Sequence, residues 1–320
     1  MARYTRDSAI LAKIETTEGT DSTPSGSANA LLVSEQSIEP LVANNVPREL
    51  IRNYFGASEH LVGTAYVMVE FTVELQGSGT AATAPAWGAL LRGCGFAESG
   101  LVSYAAYAPD TPSAQKSVTI YYYDSGSLHK LLGAKGTVSE GGMSVSGRPT
   151  LKFRFMGVDG GITAASVVST TLTGWKTPAV ITTANSGDVT LGGTYSAGAI
   201  SGGTAYTSKG LTFDLGNEVQ FTPLLGSEGI DITGREVTGS VEFDLTAAQE
   251  VTFMAAVKAN TLQSMSLVHG ASAGYIVGVS MAAVQLLNPK KTEINGRRLI
   301  GYDFRSVPSA GNDDLIIWSK

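Results

Sequence analysis

The sequence predicts a mainly β protein built as two tandem, related β-sandwich or barrel-like units, each with one short flanking helix. Three observations predict it. From Tyr66 to Gln76, Val67, Val69, Phe71, Val73 and Leu75 alternate with polar or half-polar residues, the period-two signature of a strand with one dry face. After a Gly77-Ser78-Gly79-Thr80 turn, Pro85 stands where a first helical turn accepts it, and Trp87, Leu90, Leu91 and Cys94 recur at helical spacing before Gly95. The same order returns at Val241-Glu242-Phe243-Asp244-Leu245, with Thr246 as a cap and Val251, Met254, Ala255 and Lys258 on a helical pattern. Val69-Glu70-Phe71 and Val241-Glu242-Phe243 match letter for letter.

Composition fits this class. A chain of 320 residues is long enough for two units that each bury a core. The 38 glycines and a charged fraction of only 16% favour short strands joined by turns. With 28 acidic and 22 basic residues, the net charge of −6 leaves no basic footprint for tight nucleic-acid binding. The single cysteine, Cys94, cannot close an intramolecular disulfide, so folding in a reducing cytoplasm is expected. The opening residues have no apolar stretch behind their charges, and no segment approaches the ~18 apolar residues of a membrane span. A soluble protein with no export signal or membrane anchor is expected.

Taken in order, residues 1–29 read as an N-terminal arm. Ser8 to Glu15 fits one or two helical turns, and Thr16 to Asn29, rich in Gly, Ser, Thr and Pro, reads as extended and irregular. The first unit spans 30–158: a short strand from Ala30 to Glu35, a linker from Arg48 to Gly56, the organising strand and helix, and an irregular connection from Gly100 to Gln115. Strands then follow at Lys116 to Asp124, Leu128 to Val138 and Thr150 to Val158. A linker covers 159–177, the second unit covers 178–307 with a Gly- and Thr-rich loop or hairpin from Gly187 to Ser208, and a C-terminal tail covers 308–320. Both units close on one strand type. Gly147-Arg148 with Leu151, Phe153 and Phe155 lies on Gly296-Arg297 with Ile300, Tyr302 and Phe304 at identical spacing. Two copies are too few for a solenoid and suit a subunit that fills two equivalent places in a ring.

Tests for chemistry give little. Gly77-Ser78-Gly79-Thr80-Ala81-Ala82 imitates a dinucleotide fingerprint, but the strand before it alternates in polarity and Pro85 delays the helix, so a tight turn accounts for the glycines. His60, His129 and His269 stand in no metal-ligand spacing, and no nucleophile elbow is followed by a helix. Cys94 falls on an apolar helical face and reads as buried and inert. No catalytic, cofactor-binding or metal site is expected, and the chain is not read as an enzyme. Carboxylates alone track the repeat: Glu70 and Glu74 share the polar face of the first organising strand, and Glu242 and Asp244 share that of its counterpart. Two readings stand side by side: a solvated face of an antiparallel sheet, or a ring of like charge lining a channel that a polyanion does not stick to.

The run Lys13-Ile14-Glu15, Glu18-Gly19-Thr20-Asp21, Pro24, Asn29-Ala30 and Val33 resembles the N-terminal signature of the tail tube (major tail) proteins of long, non-contractile-tailed bacteriophages. The block Val69-Glu70-Phe71, Glu74-Leu75, Gly77-Ser78-Gly79 and Pro85 to Phe96 is similar to the same family, and the likeness is densest over residues 13 to 98. The resemblance implies a virion protein assembled in the host cytoplasm. Its subunits join edge to edge into rings, the rings stack into a tube for genome passage, and arms or loops bind the next ring. It also implies tape-measure and tail-terminator partners and only transient, non-specific passage of double-stranded DNA. The family commonly builds hexamers from single-unit subunits; a doubled unit favours a trimer with pseudo-sixfold symmetry, with the hexamer as the other arrangement. The N-terminal arm is then expected to serve contacts between rings, and a subunit lacking Met1 to Asn29 is expected to fold without polymerising. The competing class is a receptor- or glycan-binding β-protein of the tail tip or fibre, which shares the Thr-, Gly- and Tyr-rich strands.

Overall fold

The computed structural model describes residues 3–320 and is mainly β, with 54% strand and 7% helix. The first half runs β1 (Ser8–Ile14), β2 (Ala30–Leu31), β3 (Ser34–Pro47), β4 (His60–Glu74), α1 (Gly88–Gly93), β5 (Phe96–Gly100), β6 (Ala105–Pro109), β7 (Val118–Asp124), β8 (Ser127–Ser144) and β9 (Thr150–Ala164). The second runs β10 (Val189–Leu191), β11 (Thr194–Ser196), β12 (Ala199–Ser201), β13 (Thr204–Tyr206), β14 (Ser208–Asp214), β15 (Asn217–Leu224), β16 (Ser227–Arg235), β17 (Thr238–Phe243), α2 (Ala247–Lys258), β18 (Leu262–His269), β19 (Val277–Ile294), β20 (Arg297–Val307) and β21 (Ile316–Ser319).

Antiparallel pairing in the first half follows the order β3-β4-β9-β8-β7-β1-β2. In the second half it follows β14-β17-β20-β19-β18-β10-β13. The two paths are the same, with α1 after β4 and α2 after β17. Hydrogen-bond register sets the equivalence of the two paths differently from the matching letters. Phe153 pairs with Phe71, whereas Tyr302, its counterpart in the Gly-Arg alignment, pairs with Val241. Phe71 and Val241 are therefore equivalent, and the shared Val-Glu-Phe letters are two positions out of register. A shift of two keeps every side chain on its face.

Each strand forms where its alternation lets one face go dry. Val67, Val69, Phe71 and Val73 of β4 are buried with Leu151, Phe153 and Phe155 of β9, and the Phe71 and Phe155 rings stack 6.1 Å apart. In β20, Ile300, Tyr302 and Phe304 do the same. α1 is only six residues long, too short to persist alone, and is held by the buried Leu90, Leu91 and Trp87, whose indole donates to the Gln76 carbonyl at 2.7 Å. α2 starts at a capping box: the Thr246 hydroxyl accepts from the Gln249 amide, and the Gln249 side chain accepts from the Thr246 amide. Its buried face centres on Phe253, with Val257 packed beside it, and Val251, placed inward by the sequence pattern, is exposed. Phe253 packs edge-on against Phe243, a contact that selects the face.

Residues 8–14 are a strand, not the helical turns that the sequence suggests. β1 pairs along its whole length with β7, and Ile10, Leu11 and Ala12 are buried. Of the arm expected over 1–29, Met1 and Ala2 lie outside the described residues. Thr16 to Asn29 has no regular structure but is tied down. The buried Glu15 carboxylate accepts from the Gly19 and Gly133 amides and the Ser117 and Thr119 hydroxyls at 2.7–2.8 Å. Trp175 donates to the Ala30 carbonyl from the segment after β9.

The halves share one hydrophobic core, and backbone contacts join them at the end of β8, at the C-terminal tail and at the Gly77 turn, among other places. β14 adds to the end of β8 with Leu211 opposite Met143 and Phe213 opposite Gly141. The tail forms β21, which lies between β6 of the first half and β19 of the second. The Gly77-Ser78-Gly79 turn meets Gly274: the Gly79 amide donates to the Gly274 carbonyl, and a Cβ on Gly77 would lie 2.2 Å from that oxygen. Close backbone approach, not a bound phosphate, is what these glycines serve.

Candidate functional site

The β14–β8 seam turns two four-stranded sheets into one surface, in the order β3-β4-β9-β8-β14-β17-β20-β19. One face of this surface is the core. The other can be followed across the seam by directly opposed residues: Glu70 faces Arg154, Lys152 faces Glu140, Gly142 faces Thr212, and Thr212 faces Ser240. The alternation of β4 and β17 thus puts Glu70, Glu74 and Glu242 on one polar face, with Asp244 just past the end of β17.

Each of the four acids has a cation beside it. Glu74 pairs with Arg148 at 2.5 Å, Asp244 with Arg297, Glu242 with Lys209 at 3.1 Å, and Glu70 with Lys152 at 3.9 Å. Arg148–Glu74 and Arg297–Asp244 are one ion pair repeated, made in each half by the arginine of its Gly-Arg turn. Farther along, Lys290 pairs with Asp303 and Arg305 with Glu236. The face therefore alternates in sign instead of carrying uninterrupted acid. Exposed pairs of this kind contribute about 0–1 kcal/mol each, so their consequence lies in the surface potential and not in stability.

Two free edges bound the surface. Among the described residues, β3 pairs only with β4, and Lys290 to Ile294 pair only with β20. Backbone donors and acceptors along both edges face outward, the arrangement on which another strand adds. The loop of the β3–β4 hairpin carries Ile51 and Phe55 fully exposed, and its strands carry exposed Leu41, Val46, Leu61 and Val62.

Other titratable groups are tied into structure. Cys94 is fully buried, and burial pushes its thiol well above the ordinary range. The Ser186 hydroxyl lies 2.7 Å from His269 Nδ1, a pair that sequence spacing does not reveal. The other ring nitrogen meets the Ala179 carbonyl at 3.1 Å where an acid would stand in a triad. Burial lowers the His269 pKa, keeping the ring neutral as a clasp between β18 and the segment before β10. Burial would raise the Asp21 carboxyl, but hydrogen bonds from Tyr121 and Lys130 bring it below its ordinary value. Among the described residues, no three His, Cys, Asp or Glu side chains converge as a metal cluster, and no helix is long and apolar enough to cross a membrane.

A family model described as phage tail tube protein matches residues 5–314, nearly the whole chain. A comparison with curated proteins finds no match.

Proposed function

The chain belongs to the phage tail tube protein family, and we propose that three copies close into a ring whose six units stand in pseudo-sixfold order and whose rings stack into the channel for the genome. The observation that carries this reading is the internal seam. Two related units are already joined sheet to sheet, and the composite sheet ends in an unpaired strand edge on either side. A subunit of this kind is half-way through its own assembly: strand addition at the ends repeats what β14 has done in the middle.

The polar face bearing Glu70, Glu74, Glu242 and Asp244 is the one we assign to the lumen, because the opposite face is the core. Most of its cations are already engaged by carboxylates, Arg154 being exposed and without an ion pair among the described residues, so a passing duplex finds few unpaired positive charges with which to exchange its counterions. That is a surface for transit. The units are assigned to residues 30–158 and 178–307, with β1 adding to the first. Assembly in the host cytoplasm around a tape-measure protein, ended by a terminator at the last ring, completes the proposal. The test is negative-stain electron microscopy of the concentrated protein with averages taken down the axis. Hollow discs or tubes with threefold or pseudo-sixfold symmetry are expected; compact particles that never stack would overturn the reading.

A further inference from the structure

The internal seam is also a template for the contact between chains. Equivalence is fixed by hydrogen-bond register: Gly141 pairs with Leu151 as Lys291 pairs with Ile300, and Ile38 lies across β4 from Val69 as Phe213 lies across β17 from Gly239. Backbone details agree. β3 and β14 both bulge near their start, at Glu35 with φ +52° and at Gly210 with φ +123°. β8 breaks register between Val138 and Glu140, and β19 breaks it between Leu287 and Lys290. In the seam, Thr212 lies opposite Gly142 and Phe213 opposite Gly141. Carrying each residue to its equivalent gives the partner and the register together.

We infer that the free edge of β3 adds antiparallel to the free end of β19 in a second copy of this chain, with Ser37 opposite Thr292 and Ile38 opposite Lys291, and, continuing that register one position past the seam's own pairs, Glu39 opposite Lys290. This inference rests on the ring reading and names its joint. One observation independent of the template supports it. Glu39 and the exposed Lys290 have opposite charge and meet on the polar face, where opposed pairs favour the register and like charges would oppose it. Hairpin β15–β16 follows the same logic. It leaves β14 to lie across the seam on β8 and β9, where Asn217 Nδ2 donates to the Cys94 and Gly136 carbonyls and Phe221 packs 5.3 Å from Tyr66. The outer part of the β3–β4 hairpin occupies the equivalent place in the first half. Its exposed Leu41, Ile51 and Phe55 are thereby given a surface, β19 and β20 of the next chain.

The experiment pairs cysteines across the inferred joint. Native Cys94 is buried and silent, so Ser37→Cys with Thr292→Cys in one chain reports the contact by oxidation of assembled protein and denaturing electrophoresis. A ladder of covalent dimers and trimers is expected. The control, Ser37→Cys with Glu293→Cys, puts the second thiol on the opposite face and is expected to cross-link at least tenfold less. In parallel, Glu39→Lys or Lys290→Glu should each abolish assembly, and the double exchange should restore it. Tubes that form normally but give no ladder and ignore both charge exchanges would overturn the joint and leave the ring reading standing. Wild-type protein that stays monomeric at every concentration would overturn both.

Discussion

At the scale of single residues, the charges of this protein do quiet work. Asp21 anchors the irregular stretch after β1 to Tyr121 and Lys130. Its carboxyl titrates below its ordinary value in the fold, so the stability it contributes is full above the unfolded value near ~3.9 and is lost as pH falls through the folded value. Asp21→Asn is expected to cost on the order of 1 kcal/mol at neutral pH and to flatten the decline of stability below about pH 4, measured by urea unfolding across pH. A decline as steep as that of the parent protein would contradict this. Glu70 and Glu74 act on the potential of the polar face. Glu70→Gln with Glu74→Gln frees Lys152 and Arg148, changes stability by less than about 1 kcal/mol, and is expected to make assembled tubes retain short duplex DNA at low salt and release it as salt rises. Co-sedimentation reads this; no retention at any salt would mean that the face does not meet the DNA.

At the scale of elements, β1 matters most. It pairs with β7 over seven positions and buries Ile10 and Leu11, side chains whose truncation to Ala costs about 2–5 kcal/mol each. Deleting residues 1–29 is therefore expected to give insoluble or unfolded chain, not a folded subunit that merely fails to polymerise; soluble protein with native circular dichroism would refute it. The sequence hides β1 because its evidence is distant. Ala9, Leu11, Lys13 and Glu15 suit a helix, and only pairing to Tyr121 and Tyr123 more than a hundred residues away selects the strand. β6 is obscured on one side in the same manner: β5 lies just before it, but its other partner, β21, comes from more than two hundred residues away. By contrast β4, β9, β20 and the Thr246 cap were legible, because alternation and capping are local signals. Of the polar face, the acids could be read off and their cations could not: Arg148 reaches Glu74 from the β8–β9 turn and Lys209 reaches Glu242 from β14. The Gly-Arg pairs that marked the duplication turn out to supply two of those cations.

At the scale of the molecule, the doubled unit proposed above explains why one chain would carry both a finished joint and two unfinished ones. Inside the chain, Gly141 lets the Phe213 ring lie against β8, where a Cβ would stand 2.2 Å from the ring, so the seam is closely packed and permanent. At the ends, Ser37, Glu39 and Lys290 are exposed and wait for a neighbour. The contrast suits a subunit that must stay soluble before it assembles: the apolar seam is closed within the chain, and the open edges carry charge. The measurement that tests this most directly is an electron cryomicroscopy map of the assembled tube at a resolution that separates strands ~4.8 Å apart. The account predicts an unbroken ladder of strands around the lumen, three chains to a ring, with β3 of each chain beside β19 of the next and the acid-and-base face turned inward. A gap between those two strands, or the polar face turned outward, would contradict it.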